Sequence, residues 1–405
     1  MRSKYIKLSE ALQEKGYVRG PFGSALKRSE LKKEEIPVYE QQHAITGRRD
    51  FRFYIDQEKY EELERFTVQP NDIIISCSGT IGKPSLIKEN DPIGIISQAL
   101  LILRCNEKIV LPHYLYYFLT SPAGFHSITS VSSGSVQVNI AKRDIIENIE
   151  IPYNPLNVQK RIVSILKCLD DQIELNRKIN ENLKQQARAI FAENFLRVSE
   201  IPDGWKKGSL LGIADYLNGL AMQRYRPEDG ETGLPVLKIK ELRQGACDAG
   251  SEQCSPGIKP EYIVHDGDVV FSWSGSLLVD FWCGGTCGLN QHLFKVTSRE
   301  YDKWFYYSWT VHHLGHFAAI AADKATTMGH IKREELAKAE VLIPSKSDYD
   351  RIGAVLAPIY DLIIANRIEN RKLSESRDEL LPKLMSGEVL FPDKSEVING
   401  RGGME

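Results

Sequence analysis

A helix-like segment occurs twice in this chain, and that repetition limits the folds open to it more than any other feature. Arg161, Ile162, Leu166, Asp171, Ile173, Asn176, Arg177, Asn180 and Leu183 reappear as Arg351, Ile352, Leu356, Asp361, Ile363, Asn366, Arg367, Asn370 and Leu373, and every pair keeps the offset 351 − 161 = 190. A repeat of this size makes the chain two copies of one unit, so its function is something done twice.

The repeat extends beyond the helix. Ile36-Pro37-Val38 opens a strand-like stretch that ends at Thr46-Gly47, and Leu234-Pro235-Val236 opens one that ends at Gln244-Gly245. Asn71 to Gly79 matches Gly267 to Gly275 at an offset of 196, and each predicts a turn, a buried strand and a Ser/Gly loop. Ser97 to Leu100 pairs with Asn290 to Leu293, and Leu115-Tyr116-Tyr117 with Phe305-Tyr306-Tyr307. Each long helix follows an Ile-Pro step, Ile151-Pro152 or Ile343-Pro344, because proline excludes helix from the residue before it. The layout is a mixed domain over 1–154, a long helix over 155–197, a second mixed domain over 198–345, a second long helix over 346–390 and a flexible polar tail over 391–405.

Composition narrows the function. At 405 residues the chain can hold two or three domains, and a net charge of −2 means any nucleic-acid role rests on local patches or basic partners. The seven cysteines are odd in number and scattered, which fits reduced thiols in a cytoplasm. Cys247, Cys254, Cys283 and Cys287 could be read as a four-thiolate zinc site, but neither pair has the short knuckle spacing. Met1-Arg-Ser-Lys-Tyr lacks the apolar core of a signal peptide, and no run approaches a membrane span, so a cytoplasmic protein is expected.

The long helices carry a heptad seam. In the first, Ile162, Leu166, Leu169, Ile173, Asn176, Asn180, Leu183, Ala187 and Ile190 alternate steps of four and three. The second repeats it through Ile352, Leu356, Ile359, Ile363, Asn366, Asn370, Leu373 and Leu380, with Arg377 the break and Pro358 expected to bend or restart the helix. Two such seams in one chain can satisfy each other as an antiparallel coiled coil about 50 Å long at about 1.5 Å per residue. Asn176, Asn180, Asn366 and Asn370 stand where leucine would be more stabilising. They read as register-fixing amides, against the blander reading of solvated positions on an outward twist.

These helices, their spacing, and the ending Arg377-Asp378-Glu379-Leu380-Leu381-Pro382-Lys383-Leu384-Met385-Ser386-Gly387-Glu388-Val389 resemble the specificity subunit of type I restriction-modification systems. Gly20-Pro21-Phe22-Gly23 and the strands after Asp72 and Asp268 are also similar to that family. The resemblance implies an α+β fold: two pseudo-symmetric mixed α/β target recognition domains separated by two long spacer helices packed as an antiparallel coiled coil. It implies that each domain reads one half of an asymmetric, bipartite site in double-stranded DNA. The helices would set the gap and dock two methyltransferase subunits, with restriction subunits joining later. S-adenosylmethionine, ATP and Mg would belong to those partners, and this chain would bind no cofactor, hold no metal and catalyse nothing alone.

Base readout needs bidentate polar side chains in a groove, and phosphate contacts need basic or hydroxyl groups on loops. In the first domain the candidates are Lys27, Arg28, Gln41, Gln42, His43, Arg48, Arg49, Ser133, Ser135, Gln137 and Lys142. In the second they are Arg224, Arg226, Lys238, Lys240, Arg243, Lys324, Thr326, Thr327, His330 and Lys332. Any one of these is more often a solvated residue than a base contact. The loops 132–137 and 324–327 are stronger as groups, because they precede matching strand-like segments. His292 reads as a satisfied core histidine, and the Tyr116-Tyr117 and Tyr306-Tyr307 pairs as core.

Enzyme motifs do not emerge. Gly79-Thr80-Ile81-Gly82-Lys83-Pro84 lacks the interval and the Ser/Thr of a phosphate-binding loop, and Asn154-Pro155-Leu156 lacks the second proline or aromatic of an adenine methyltransferase loop. The alternatives to a DNA reader are a protein-binding adaptor with a spacer coiled coil, and a self-sufficient methyltransferase or nuclease.

Overall fold

The computed structural model describes residues 4–22, 25–130, 139–323 and 331–389, so the tail 391–405 lies outside the described residues. The chain forms two compact units. One comprises residues up to Asp170 together with those from Glu375 onward, and the other spans Asp171–Ser374. Each contains one mixed domain and a portion of both long helices.

The first unit is built on a four-stranded antiparallel sheet in the order Leu12–Arg19, Leu100–Cys105, Ile73–Ser76, Pro84–Leu86. The second uses the order Asp215–Asn218, Leu293–Thr297, Val269–Ser272, Leu278–Phe281. The central strands Ile73–Ser76 and Val269–Ser272 are buried at every residue, as their unbroken apolar runs predict. Each follows a turn at positive φ, through Asn71 at 72° and Gly267 at 86°. An aspartate fixes each turn: Asp72 accepts from Gln69 N and Asp268 from His265 N, both at 2.8 Å. Arg104 clamps Asp72 at 2.7 Å, and Lys295 pairs with Asp268 at 2.8 Å.

A smaller sheet accompanies each large one. Ile36–Tyr39 runs parallel to Ile95–Ile96, and Leu234–Leu237 runs parallel to Cys287–Leu289. The stretch expected to stay strand-like to Thr46-Gly47 does not do so. It turns into a helix over Gln41–Thr46, and its counterpart into a helix over Ile239–Gln244. Each helix ends at a left-handed glycine, Gly47 or Gly245, as a glycine C-cap requires. Six-residue helices show too little periodicity to reveal themselves in sequence.

A short antiparallel pair, Lys4–Lys7 with Glu150–Tyr153 and Lys206–Ser209 with Glu340–Ile343, precedes each long helix. The first long helix runs Leu156–Phe191 and the second Lys346–Ser386. Pro358 does not restart the second, which passes through it without interruption. In the first unit Ile162 and Leu166 share a core with Leu381, Leu384 and Met385. The seam break at Arg377 is filled there by an ion pair, with Arg377 2.9 Å from Asp170. Tyr117 donates to the same carboxylate at 2.7 Å, and burial followed by that negative neighbour pushes its phenol up.

In the second unit the seam asparagines meet in pairs. Asn366 Nδ2 donates to Asn180 Oδ1 at 2.9 Å, and Asn176 Nδ2 donates to Asn370 Oδ1 at 3.0 Å and to Glu369 at 2.7 Å. As Asn176 advances to Asn180, the partner retreats from Asn370 to Asn366, so these helix stretches are antiparallel. Asn180 Nδ2 also reaches Ile363 O at 3.2 Å, which satisfies the amide inside the seam. Replacing Asn180 alone by leucine should leave the Asn366 amide orphaned and cost about 1–3 kcal/mol. Adding Asn366→Leu should restore most of that loss, because two leucines pack without a polar debt. Urea unfolding of the three proteins checks this, and a double variant weaker than the single one would contradict it.

Candidate nucleic-acid interface

In each unit several loops converge on one end of the four-stranded sheet. In the first, Gly20 N donates to Leu100 O at 3.0 Å, Cys77 N to Ala99 O at 2.9 Å, Ile140 N to Cys77 O at 3.0 Å, and Ser78 N to Gln41 Oε1 at 3.2 Å. In the second, Gly219 N donates to Leu293 O at 3.0 Å, Gln291 N to Leu220 O at 2.8 Å, and Ile331 N to Trp273 O at 3.2 Å. The glycines are required by close approach. A Cβ on Gly20 would lie 2.0 Å from Ser97 O, and one on Gly219 would lie 2.3 Å from Asn290 O. Gly79 and Gly275 top the neighbouring loops at φ 66° and 65°.

The frame is shared and the side chains on it differ. In the first unit Arg19 packs over the Phe22 ring at 6.0 Å, and Gln98 projects from the turn into solvent. Cys77 beside them is buried, which pushes its thiol up to about 12. In the second unit Trp273 takes the place of Cys77 and donates from Nε1 to Asn218 Oδ1 at 3.0 Å. Its ring stands 6.2 Å from that of His292. His292 Nε2 lies 3.3 Å from Gln291 Nε2, while its Nδ1 is buried without a hydrogen-bond partner among the described residues. The expectation of a satisfied core histidine therefore fails: the residue is half-buried and one nitrogen is orphaned.

The candidates read from sequence fall into three groups. Lys27, Arg28, Arg48, Lys142, Arg224, Arg243 and Lys332 are exposed, in loops or at the ends of short helices. Gln41 joins the sheet-end cluster through Ser78, and Gln42 reaches Asp50 O at 3.4 Å. A second group is tied into the fold or into ion pairs. His43 is buried, its Nδ1 accepting from Glu40 N at 2.7 Å and its Nε2 donating to Asp50 O at 3.0 Å, and burial pushes its pKa down. Arg49 clamps Asp91 at 2.7 Å and also bonds Ser85, Leu86 O and His43 O. Arg226 and Lys238 both pair with Glu252, and Lys240 with Asp248. The third group, Ser133, Ser135, Gln137, Lys324, Thr326, Thr327 and His330, lies outside the described residues.

Arg19, Gln98, Asn218, Trp273, Gln291 and His292 were not among the candidates. One signal for them was present, since the Ser97–Leu100 and Asn290–Leu293 repeat places a glutamine at the same turn twice. The cysteines sit in separate packing clusters, Cys283 in one, Cys247 and Cys287 in another and Cys254 in a third. Among the described residues no group of three or more His, Cys, Asp or Glu is arranged to hold a metal, and no helix is long and apolar enough to cross a membrane.

A tandem pair of α+β modules, each bringing loops to one sheet end, defines a protein built twice on one plan. Residues 23–185 match the family described as the type I restriction modification DNA specificity domain. The chain is 24% identical over 334 residues to a type I restriction enzyme specificity subunit, MjaIX, of Methanocaldococcus jannaschii, covering 75% of this chain and 77% of that one. It is 20% identical over 381 residues to the HindI specificity subunit of Haemophilus influenzae, covering 73% and 81%. The fold is similar to the crystal structure of a type I restriction-modification system S subunit from M. genitalium, with a TM-score of 0.54, 15% identity and 96% of each chain covered. Residues 23–185 thus carry a match to the DNA specificity domain of that family, and the chain as a whole is similar to specificity subunits of type I restriction-modification systems.

The sheet-end frame makes a specific demand on its glycines. Gly20→Ala must push the Ser97–Ala99 turn away from the sheet, at a cost of about 1–3 kcal/mol. A lowered unfolding midpoint together with weaker DNA binding is the expected result, and an unchanged midpoint would show that the turn yields freely.

Proposed function

We propose that this chain reads an asymmetric, bipartite site in double-stranded DNA, one half-site per unit, and that its long helices set the gap and dock two methyltransferase subunits and then restriction subunits. The observation that carries the reading is the sheet-end frame, which recurs in both units with unlike side chains. Two different readers on one repeated scaffold select two different half-sites, whereas a homodimeric reader selects a palindrome. S-adenosylmethionine, ATP and Mg are taken by the partner subunits, and the complex works in the cytoplasm.

The exposed cations Lys27, Arg28, Arg48, Lys142, Arg224, Arg243 and Lys332 supply phosphate contacts in this reading, and Gln41 and Gln42 lie near the base edges. Arg226, Lys238 and Lys240 exchange their carboxylate partners for phosphates, while His43 and Arg49 support the frame from within. Ser133, Ser135, Gln137, Lys324, Thr326, Thr327 and His330, outside the described residues, belong to this reading as sequence candidates for DNA contact.

Two experiments test the reading. Produced with its methyltransferase subunits, the chain should direct adenine methylation to one two-part motif, and modification without sequence preference would refute the reading. Deleting one heptad from each long helix should shorten the tolerated gap between the half-motifs while leaving the half-motifs themselves intact. A gap that does not change would mean that the helices are not the ruler.

A further inference from the structure

We infer that Gln98 and Gln291 are matched base-reading side chains, one for each half-site, and that Arg19 beside the first and His292 beside the second make the two halves read unlike bases. The inference rests on the DNA-reading function proposed above and assigns residues to it.

The repeat fixes the position. Gln98 and Gln291 occupy the same place in the same turn, and the residues on either side of them change from Ser97 and Ala99 to Asn290 and His292. The backbone around them is held rigidly: Gly20 and Gly219 press against the carbonyls of Ser97 and Asn290, and main-chain hydrogen bonds tie Cys77 to Ala99 and Gln291 to Leu220. A side chain carried on such a frame is pre-organised, which a reader needs and a solvated loop does not provide.

The chemistry fits a base edge. A carboxamide presents one donor and one acceptor side by side, the complement of adenine N7 and N6 in the major groove. Gln98 is exposed and makes no hydrogen bond among the described residues. No described carboxylate pairs with Arg19, whose guanidinium has the geometry for guanine O6 and N7. In the second unit Gln291 is half-buried and its amide nitrogen lies 3.3 Å from His292 Nε2, so His292 orients that carboxamide and leaves its oxygen as the unshared acceptor among the described residues. Asn218, in the place of Arg19, spends its oxygen on Trp273 and keeps its amide donors.

The test uses the full chain assembled with its methyltransferase subunits, S-adenosylmethionine and a random-sequence DNA library, with methylated adenines mapped for the parent, Gln98→Ala and Gln291→Ala. Each variant should relax one base pair of one half-motif by roughly 5- to 100-fold, in opposite halves. Unfolding midpoints and the salt dependence of binding should stay unchanged, because no phosphate contact is lost. Variants that keep the parental preference at every position would overturn the inference while the function stands. A uniform loss across both halves would overturn it too, since it marks a structural or phosphate-contacting role. If the parent itself selects no two-part motif, the function proposed above fails, and this inference fails with it.

Discussion

Each unit closes its core with helix stretches that lie far apart in the chain, and the rest of the structure depends on that closure. In the first unit Ile162 and Leu166 from one long helix and Leu381, Leu384 and Met385 from the other pack against the same sheet and the helix around Tyr114. In the second, Ala187 and Phe191 join Ile352, Leu356, Tyr360 and Ile363 around Phe271 and Phe305. A fully buried side chain of this size contributes roughly 1.5–3 kcal/mol, so several of them exceed the net stability of an ordinary domain. Neither mixed domain is therefore complete without both long helices, and the helices are part of the domain cores as well as connections.

Such a frame leaves the loops at the sheet ends free to vary. The backbone devices recur almost unchanged: an aspartate fixing the turn before the central strand, a left-handed glycine after it, and a glycine wedged against the facing turn. Even the buried polar residue in the short helix keeps its role when its chemistry changes. His43 Nδ1 accepts from Glu40 N, and Glu241 accepts from Lys238 N at the matching position. The side chains around the frame change, as Arg19 against Asn218 and Cys77 against Trp273 show, while the glutamine of the facing turn recurs as Gln98 and Gln291.

The repeat, the buried strands and the heptad seams were legible because each rests on a periodicity or a turn signal that local sequence carries. The asparagines were legible as seam positions but their pairing was not: the offset of 190 matches Asn176 with Asn366, whereas the antiparallel helices pair Asn180 with Asn366 and Asn176 with Asn370. The helix over Gln41–Thr46 was not legible, because six residues between a strand and a glycine are decided by the capping side chain at His43 and by packing. The sheet-end cluster was illegible for a different reason. Asn218, Trp273 and His292 are separated by up to 74 residues and meet only through the strand order. Arg49 looked like a free cation, and only the fold supplies Asp91 and the carbonyls that occupy it.

The same contrast bears on the proposed docking of two methyltransferase subunits. Identical partners present one surface twice, so only surface positions that the repeat preserves can receive both. The cleft of about 340 Å³ beside Tyr117 is lined by Asp170, Arg377 and Asp378, whereas the cleft of about 470 Å³ beside Tyr307 is lined by Tyr360, Arg188 and Lys184. Asp170 corresponds to Tyr360 and Asp378 to Arg188 at the offset of 190, so the charge of these clefts reverses between units. Ile165 and Val355 behave differently. They match at that offset, both are apolar, and both remain exposed, at 38% and 50%, each four residues after the matched Arg161 or Arg351. An exposed apolar side chain retained in both copies, one helical turn from a retained arginine, is the kind of feature a shared partner can use twice, and the clefts are not.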